Sequence, residues 1–329
     1  MVPTGRGRTI GRMSPGSRGS RRRERSRRPV LYAAVASSVL LAGTAATTVY
    51  VKAQAHDATA LVSHASAAAG GPSVSPSSSP SASPTVDPDA LLAEALKGRD
   101  GTFSVAVLDV ADGTSAAYSS GEDDRTYDTA SIVKVDVLAA LLLRAQDEGR
   151  SLTGQEKAYA AAMIENSDNS ATTAVWDIIG GADGLDAANE RLGLTGTTGG
   201  DGPLWGLTQT TAADQLALLR QVFGVAGDSD QVLDASSRAY VEELMGNVES
   251  DQRWGVSAAG DGDGLALKNG WLRRSTTGLW DINSVGRVTV DGKRYLVAVV
   301  SDGSATKDAG ISLVEAVAKA AVPVVSGAA

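Results

Sequence analysis

Three short runs in this chain have the residue types needed for nucleophilic catalysis: Ser131-Ile132-Val133-Lys134, Ser167-Asp168-Asn169 and Lys268-Asn269-Gly270. A serine hydroxyl attacks a carbonyl carbon only when a neighbouring base takes its proton. A three-residue helical step puts Lys134 on the same face as Ser131. Lysine can be that base once burial or nearby cations suppress its charge. The chain provides no obvious alternative. Its histidines, His56 and His64, both precede a Ser/Pro-rich stretch, and it has no cysteine. A Ser-His-Asp triad, a Cys-His pair and a His/Cys zinc site are excluded from the folded part, and neither a metal nor a cofactor is expected.

Each run also has a plainer reading. Ser131 can cap a helix and Lys134 can be a solvated surface charge. Ser167-Asp168-Asn169 can be a capping cluster between two helices, and Lys268 an edge-strand lysine that discourages aggregation. The order of the three runs, and the elements they fall on, set them apart from such accidents.

Those elements can be read from periodicity and punctuation. A short helix is expected at Asp89–Lys97, followed by a strand at Thr102–Val110, a turn at Ala111-Asp112-Gly113 and a returning strand at Ser115–Ser119. A helix from about Ser131 to Asp147 presents Val135, Leu138, Leu141 and Leu142 as its apolar face. Thr153-Gly154-Gln155-Glu156 is a capping box that starts the next helix, through Ile164. Helices follow at Ser170–Ile179, stopped by Gly180-Gly181, and at Leu185–Arg191. Leu192–Leu207 has no period and reads as loop; helices return at Thr211–Phe223 and Ala235–Met245. Strands at Leu265–Leu272, Gly278–Val290 and Arg294–Ser301, with Asp291-Gly292 as a hairpin turn, precede a closing helix at Ala309–Ala321. Strand pairs at both ends around a helical insert predict an α+β fold: one five-stranded antiparallel sheet flanked by helices, beside a helical lobe.

On these residues the chain resembles the class A β-lactamases and penicillin-binding-protein-like serine hydrolases, whose motif set is S-x-x-K, S-D-N and K-T-G. The resemblance spans about Asp89 to Ala321, and a bias of 22 arginines to 8 lysines with abundant alanine fits its actinobacterial branch. It implies Ser131 as nucleophile, Lys134 as acylation base and Ser167 as proton donor to the leaving nitrogen. It further implies that Asn169 contacts substrate and the catalytic lysine, that Asp168 is structural, and that Lys268 attracts a substrate carboxylate. In the family an N–H just beyond the glycine completes the oxyanion hole, here that of Trp271 paired with that of Ser131. Gly270 is expected to admit a ligand backbone, and Asn269, where the family has Thr or Ser, to donate a hydrogen bond to substrate. The implied substrate is a small-molecule β-lactam or a peptidoglycan peptide.

One part of the pattern is missing. The family's deacylating glutamate belongs on a loop after the S-D-N helices, yet Gly193–Gln209 contains none; its single carboxylate is Asp201, in Gly199-Gly200-Asp201-Gly202-Pro203. An Asp between glycines ahead of a proline reads first as a turn residue and only second as a deacylating group. Glu165 lies two residues before Ser167 and belongs to a last helical turn. Three functions stay open: a β-lactamase-type hydrolase, a penicillin-binding or transpeptidase-like enzyme that releases its acyl group slowly, and a non-catalytic cell-wall or antibiotic-sensing module.

The N-terminal region bears on location. Residues 1–29 hold ten arginines against one acid and read as a disordered cytoplasmic segment. Val30–Val51 is 22 residues without a charge, long enough for a transmembrane anchor, with arginine on the cytoplasmic side. Ser26-Arg27-Arg28 and Ala53-Gln54-Ala55 also allow an exported, cleaved signal; the length of the apolar run favours the anchor. Residues 52–86 form an Ala/Ser/Pro-rich linker. The serine hydrolase domain, 87–329, is thus expected to be extracytoplasmic, membrane-anchored or secreted. With 36 acids against 19 Lys/Arg, a net charge of −17, it is no binder of nucleic acid, and it is expected to act as a monomer.

Overall fold

The chain folds so that its first and last strands meet. In the computed structural model, which describes residues 87–122, 125–225 and 231–327, the sheet order is β2-β1-β7-β6-β5, antiparallel throughout. Its strands are β1 (Thr102–Asp109), β2 (Ser115–Ser119), β5 (Ala266–Arg273), β6 (Trp280–Val290) and β7 (Lys293–Asp302), with β3 (Tyr127–Asp128) and β4 (Gln209–Thr210) as a separate small pair. Phe103 through Leu108 on β1 and Tyr295 through Ser301 on β7 are buried on both faces, as continuous apolar runs require of central strands.

One face of the sheet is covered by α1 (Pro88–Leu96) and α8 (Lys307–Val325), the other by α6 (Ala212–Phe223). The helical lobe holds α2 (Val133–Asp147), α3 (Gly154–Glu165), α4 (Asn169–Ile179), α5 (Gly181–Leu192) and α7 (Ala235–Gly246). At its centre, α2 packs against α3, α4, α5 and α7. The expected apolar stripe on α2 proves too narrow: twelve of its fifteen residues are buried, including Lys134 and Asp136. A helix apolar nearly all round belongs inside a fold, and its two buried charged-type residues then demand an explanation.

Three boundaries differ from the sequence reading. The Gly180-Gly181 pair is a corner: Gly180, at φ 100°, ends α4 and caps α5, which therefore begins at Gly181. A Cβ on Gly184 would lie 1.8 Å from Ile179 O, so tertiary packing demands a residue with poor helix propensity. The closing helix runs from Lys307, capped by the Thr306 side chain, to Val325, with Pro323 inside its last turn. The pair β3–β4 is too short to leave a period. The Thr153–Glu156 capping box forms as expected.

No helix among the described residues is long and apolar enough to cross a membrane. The expected Arg-rich segment, the span at Val30–Val51 and the linker all lie outside the described residues.

Candidate active site

The nucleophile run does not open an α-helix directly. Ala130–Ile132 is a 3-10 turn that feeds α2 at Val133, and Ala130 has φ 47°. Ser167, between α3 and α4, has φ 57°. Left-handed backbone is costly for residues with a side chain and persists where the surroundings enforce it. The third such non-glycine residue, Asp291, lies in the Asp291-Gly292 hairpin turn, where the geometry is ordinary. Of the other two, Ala130 lines the cleft described below, and Ser167 accepts from two buried lysines.

What holds the nucleophile turn is the sheet edge. A Cβ added to Gly270 on β5 would lie 2.7 Å from Thr129 O, 2.8 Å from Ser131 N and 2.9 Å from Ile132 N. The glycine therefore admits the protein's own backbone, where the sequence reading had placed a ligand's. From β6, the buried Asn283 donates to Asp128 O at 2.9 Å and Thr129 O at 3.0 Å, and its carbonyl accepts from Ser301 N–H at 2.9 Å. Thr129 N–H donates to Thr208 O at 2.8 Å, fastening the same turn to the loop opposite. The sequence reading did not single out Asn283, and its strand, which also carries Asp281, Ser284, Arg287 and Thr289, gave no signal that would have.

Two lysines of these runs have no solvent exposure, Lys134 and Lys268. Lys134 Nζ donates to Ser167 O at 2.6 Å, Ser167 Oγ at 3.0 Å and Asn169 Oδ1 at 2.9 Å. Lys268 Nζ donates to the same Ser167 Oγ at 3.1 Å and to Asn269 O at 3.1 Å. Burial lowers the Lys134 pKa to about 7 against an opposing pull from Asp168. Burial, aided by the positive charge of Lys134, lowers Lys268 to about 7 as well. Two ammonium groups sharing one hydroxyl disfavour each other's protonation, so a neutral lysine is accessible near pH 7. Asp168 caps α4 by accepting from Ala171 N–H at 2.6 Å.

Ser131, Asn169 and Trp271 line an open cleft of about 670 Å³ together with Trp205, Arg273 and Arg274. Besides Gly270, two expected binding residues do not line it. Asn269 spends its amide on Gln252 O at 2.7 Å and Trp254 O at 2.9 Å, behind the strand. Strand alternation turns it away from substrate. Lys268 is sealed beneath Ser167, so the cations at the cleft are the two arginines. Arg274 is held by an ion pair with Asp128.

Asp201 is exposed and outside the cleft, its carbonyl accepting from Leu204 N–H at 3.0 Å in a turn. Trp176 Nε1 donates to Gly202 O at 2.9 Å and pins that turn. No carboxylate lines the cleft among the described residues. Glu165 is the last residue of α3. The described residues contain no group of three or more His, Cys, Asp or Glu placed to hold a metal.

A five-stranded antiparallel sheet, a helical lobe and a serine–lysine cluster at their junction define a serine β-lactamase-like fold. Residues 155–325 match the model of the β-lactamase enzyme family, and the chain belongs to that family of amide-bond serine hydrolases. Similar solved structures include a class A β-lactamase from Bacteroides cellulosilyticus, 17% identical over 74% of this chain and 100% of that one, with a TM-score of 0.61. A β-lactamase from Burkholderia vietnamiensis is 21% identical over 74% and 98%, TM-score 0.59. A PBP-A variant, captured as an acyl-enzyme complex with penicillin G, is 21% identical over 71% and 93%, TM-score 0.56. No curated protein matches the chain by sequence.

Proposed function

We propose that this protein is an extracytoplasmic acyl-serine enzyme that opens β-lactams or peptidoglycan-like amides through Ser131 and Lys134, and releases the acyl group slowly. The observation that carries this reading is the pair of fully buried lysines donating to one hydroxyl, Ser167 Oγ, beside a partly exposed serine. In acylation Ser131 Oγ adds to the amide carbonyl carbon and its proton passes to neutral Lys134. The C–N bond then breaks, and the leaving nitrogen takes the Ser167 hydroxyl proton, which a lysine replaces. Arg273 lines the cleft and suits a substrate with a carboxylate, while Arg274 beside it is already paired with Asp128.

Slow release follows from the loop. Asp201 faces solvent, and among the described residues no carboxylate lines the cleft to position water, which favours the penicillin-binding or transpeptidase-like variant over rapid hydrolysis. The uncharged run Val30–Val51 and its upstream arginines support a domain held outside the membrane or secreted from it. Mass spectrometry after incubation with a penicillin tests the proposal. A long-lived adduct on Ser131 is expected; a transient adduct points to fast hydrolysis, and no adduct at all overturns the reading.

A further inference from the structure

Trp205 is the residue of the loop whose ring lies over Lys134. It lies in a 3-10 turn, Trp205–Leu207, and its ring centre is 5.1 Å from Lys134 Nζ. Its Nε1 donates to Thr173 Oγ1 at 3.2 Å, which fixes the ring over the start of α4. The adjoining Gly206 lies against the other side of the site: a Cβ there would be 3.9 Å from Ala130 Cα, next to Ser131. The turn is fastened at both ends, by Trp176 to Gly202 O and by Thr129 N–H to Thr208 O. Half-buried, Trp205 covers Lys134 with one part of its surface and lines the cleft with another.

We infer that Trp205 is a positioning residue that acts through Lys134, shielding that lysine and the Ser131 ester from water and so setting both the base strength of the lysine and the lifetime of the acyl-enzyme. The inference rests on the acyl-serine reading above. Two effects of the ring oppose each other. Its face attracts an ammonium and favours the charged lysine, while its bulk excludes water and favours the neutral one. Burial is the leading cause of the lowered value at Lys134, and the ring is part of what packs over that lysine, so exclusion is taken as the larger of the two effects. The same exclusion keeps water from the ester. Hydrolysis needs a water oxygen to add to the ester carbonyl, the bond to Ser131 Oγ to break, and the water proton to pass to Oγ, and Trp205 stands where such a water would approach from the loop side.

Because the two effects differ in sign, two substitutions separate them. Trp205→Leu removes the π face but keeps an apolar cover, whereas Trp205→Ala removes both. Two readouts are made on the whole protein: direct titration of Lys134 by NMR of 13Cε-labelled lysine, assigned with Lys134→Arg, and the lifetime of the penicillin adduct by mass spectrometry. Trp205→Ala is expected to raise the Lys134 titration midpoint by about one unit and shorten the adduct lifetime about tenfold. Trp205→Leu is expected to leave the midpoint at or below that of the parent and the adduct long-lived. An unchanged midpoint and lifetime in Trp205→Ala, or an upward shift of equal size in both variants, would overturn the inference. Absence of any adduct in the parent, with the Lys134 shifts as expected, would instead sink the acyl-serine reading and leave the shielding of Lys134 standing.

Discussion

The two walls of the cleft are built on different terms. One wall takes Ser131 from a 3-10 turn, Lys134 from the buried helix that follows it, Ser167 from a strained helix junction, and Lys268 from an edge strand. All the polar contacts of its two lysines are internal. The opposite wall is a loop pinned at Gly202 and Thr208 that presents Pro203, Leu204, Trp205 and Leu207 to the cleft, none of them ionisable. The first wall is equipped to move protons and the second to exclude water. On the acyl-serine chemistry proposed above, acylation and deacylation draw on different walls, so the equipment for one can be lost and the other kept.

The contrast breaks most sharply at Ser131. Ser131→Ala is expected to abolish labelling by penicillins or fluorophosphonates with an unchanged circular dichroism spectrum; labelling that survives would move the active site elsewhere. Next in size, Lys134→Ala should slow acylation by at least ~10²-fold, the usual loss for a general base. Lys134→Arg should not restore it, since guanidinium does not give up its proton. For the parent, acylation should accelerate as pH rises through about 7, where Lys134 becomes neutral; a rate that is flat across that range refutes the base role.

Lys268→Met sharpens the comparison through stability. Its ammonium titrates near 7 in the fold, against an ordinary 10.5. Between those values the unfolded chain holds a proton that the native state has released, so this group makes stability rise with pH across that window. Replacing it with methionine should stabilise the protein by about 1 kcal/mol or more at and below pH 7, a melting-point gain of roughly 2–4 °C per kcal/mol. The gain should fade toward pH 10.5, while acylation falls. A variant less stable than the parent at pH 6 contradicts the assigned burial penalty.

Asp201 marks the smallest expected effect. Its side chain faces solvent and its carbonyl closes a turn, so Asp201→Asn should match the parent in adduct lifetime and in burst kinetics with a chromogenic cephalosporin. A trapped acyl-enzyme in that variant would give the loop wall a catalytic group after all.

Residue type and spacing alone determined the α+β order of elements and the elements on which the three runs fall. They sufficed because helix caps, hairpin turns and period-two strands are local: Thr153–Glu156 and Asp291-Gly292 sit where their own residues dictate. The Gly180-Gly181 corner, the pair β3–β4 and the all-round burial of α2 were not legible, since each depends on packing against distant segments. Within the site, only the tertiary structure gave Asn269 its partners Gln252 O and Trp254 O, sealed Lys268 beneath Ser167, and used Gly270 for the chain's own backbone. It also placed Trp205, some seventy residues along the chain, over the ammonium of Lys134. A lysine's basicity depends on how much water reaches it, and that is decided by everything packed around it.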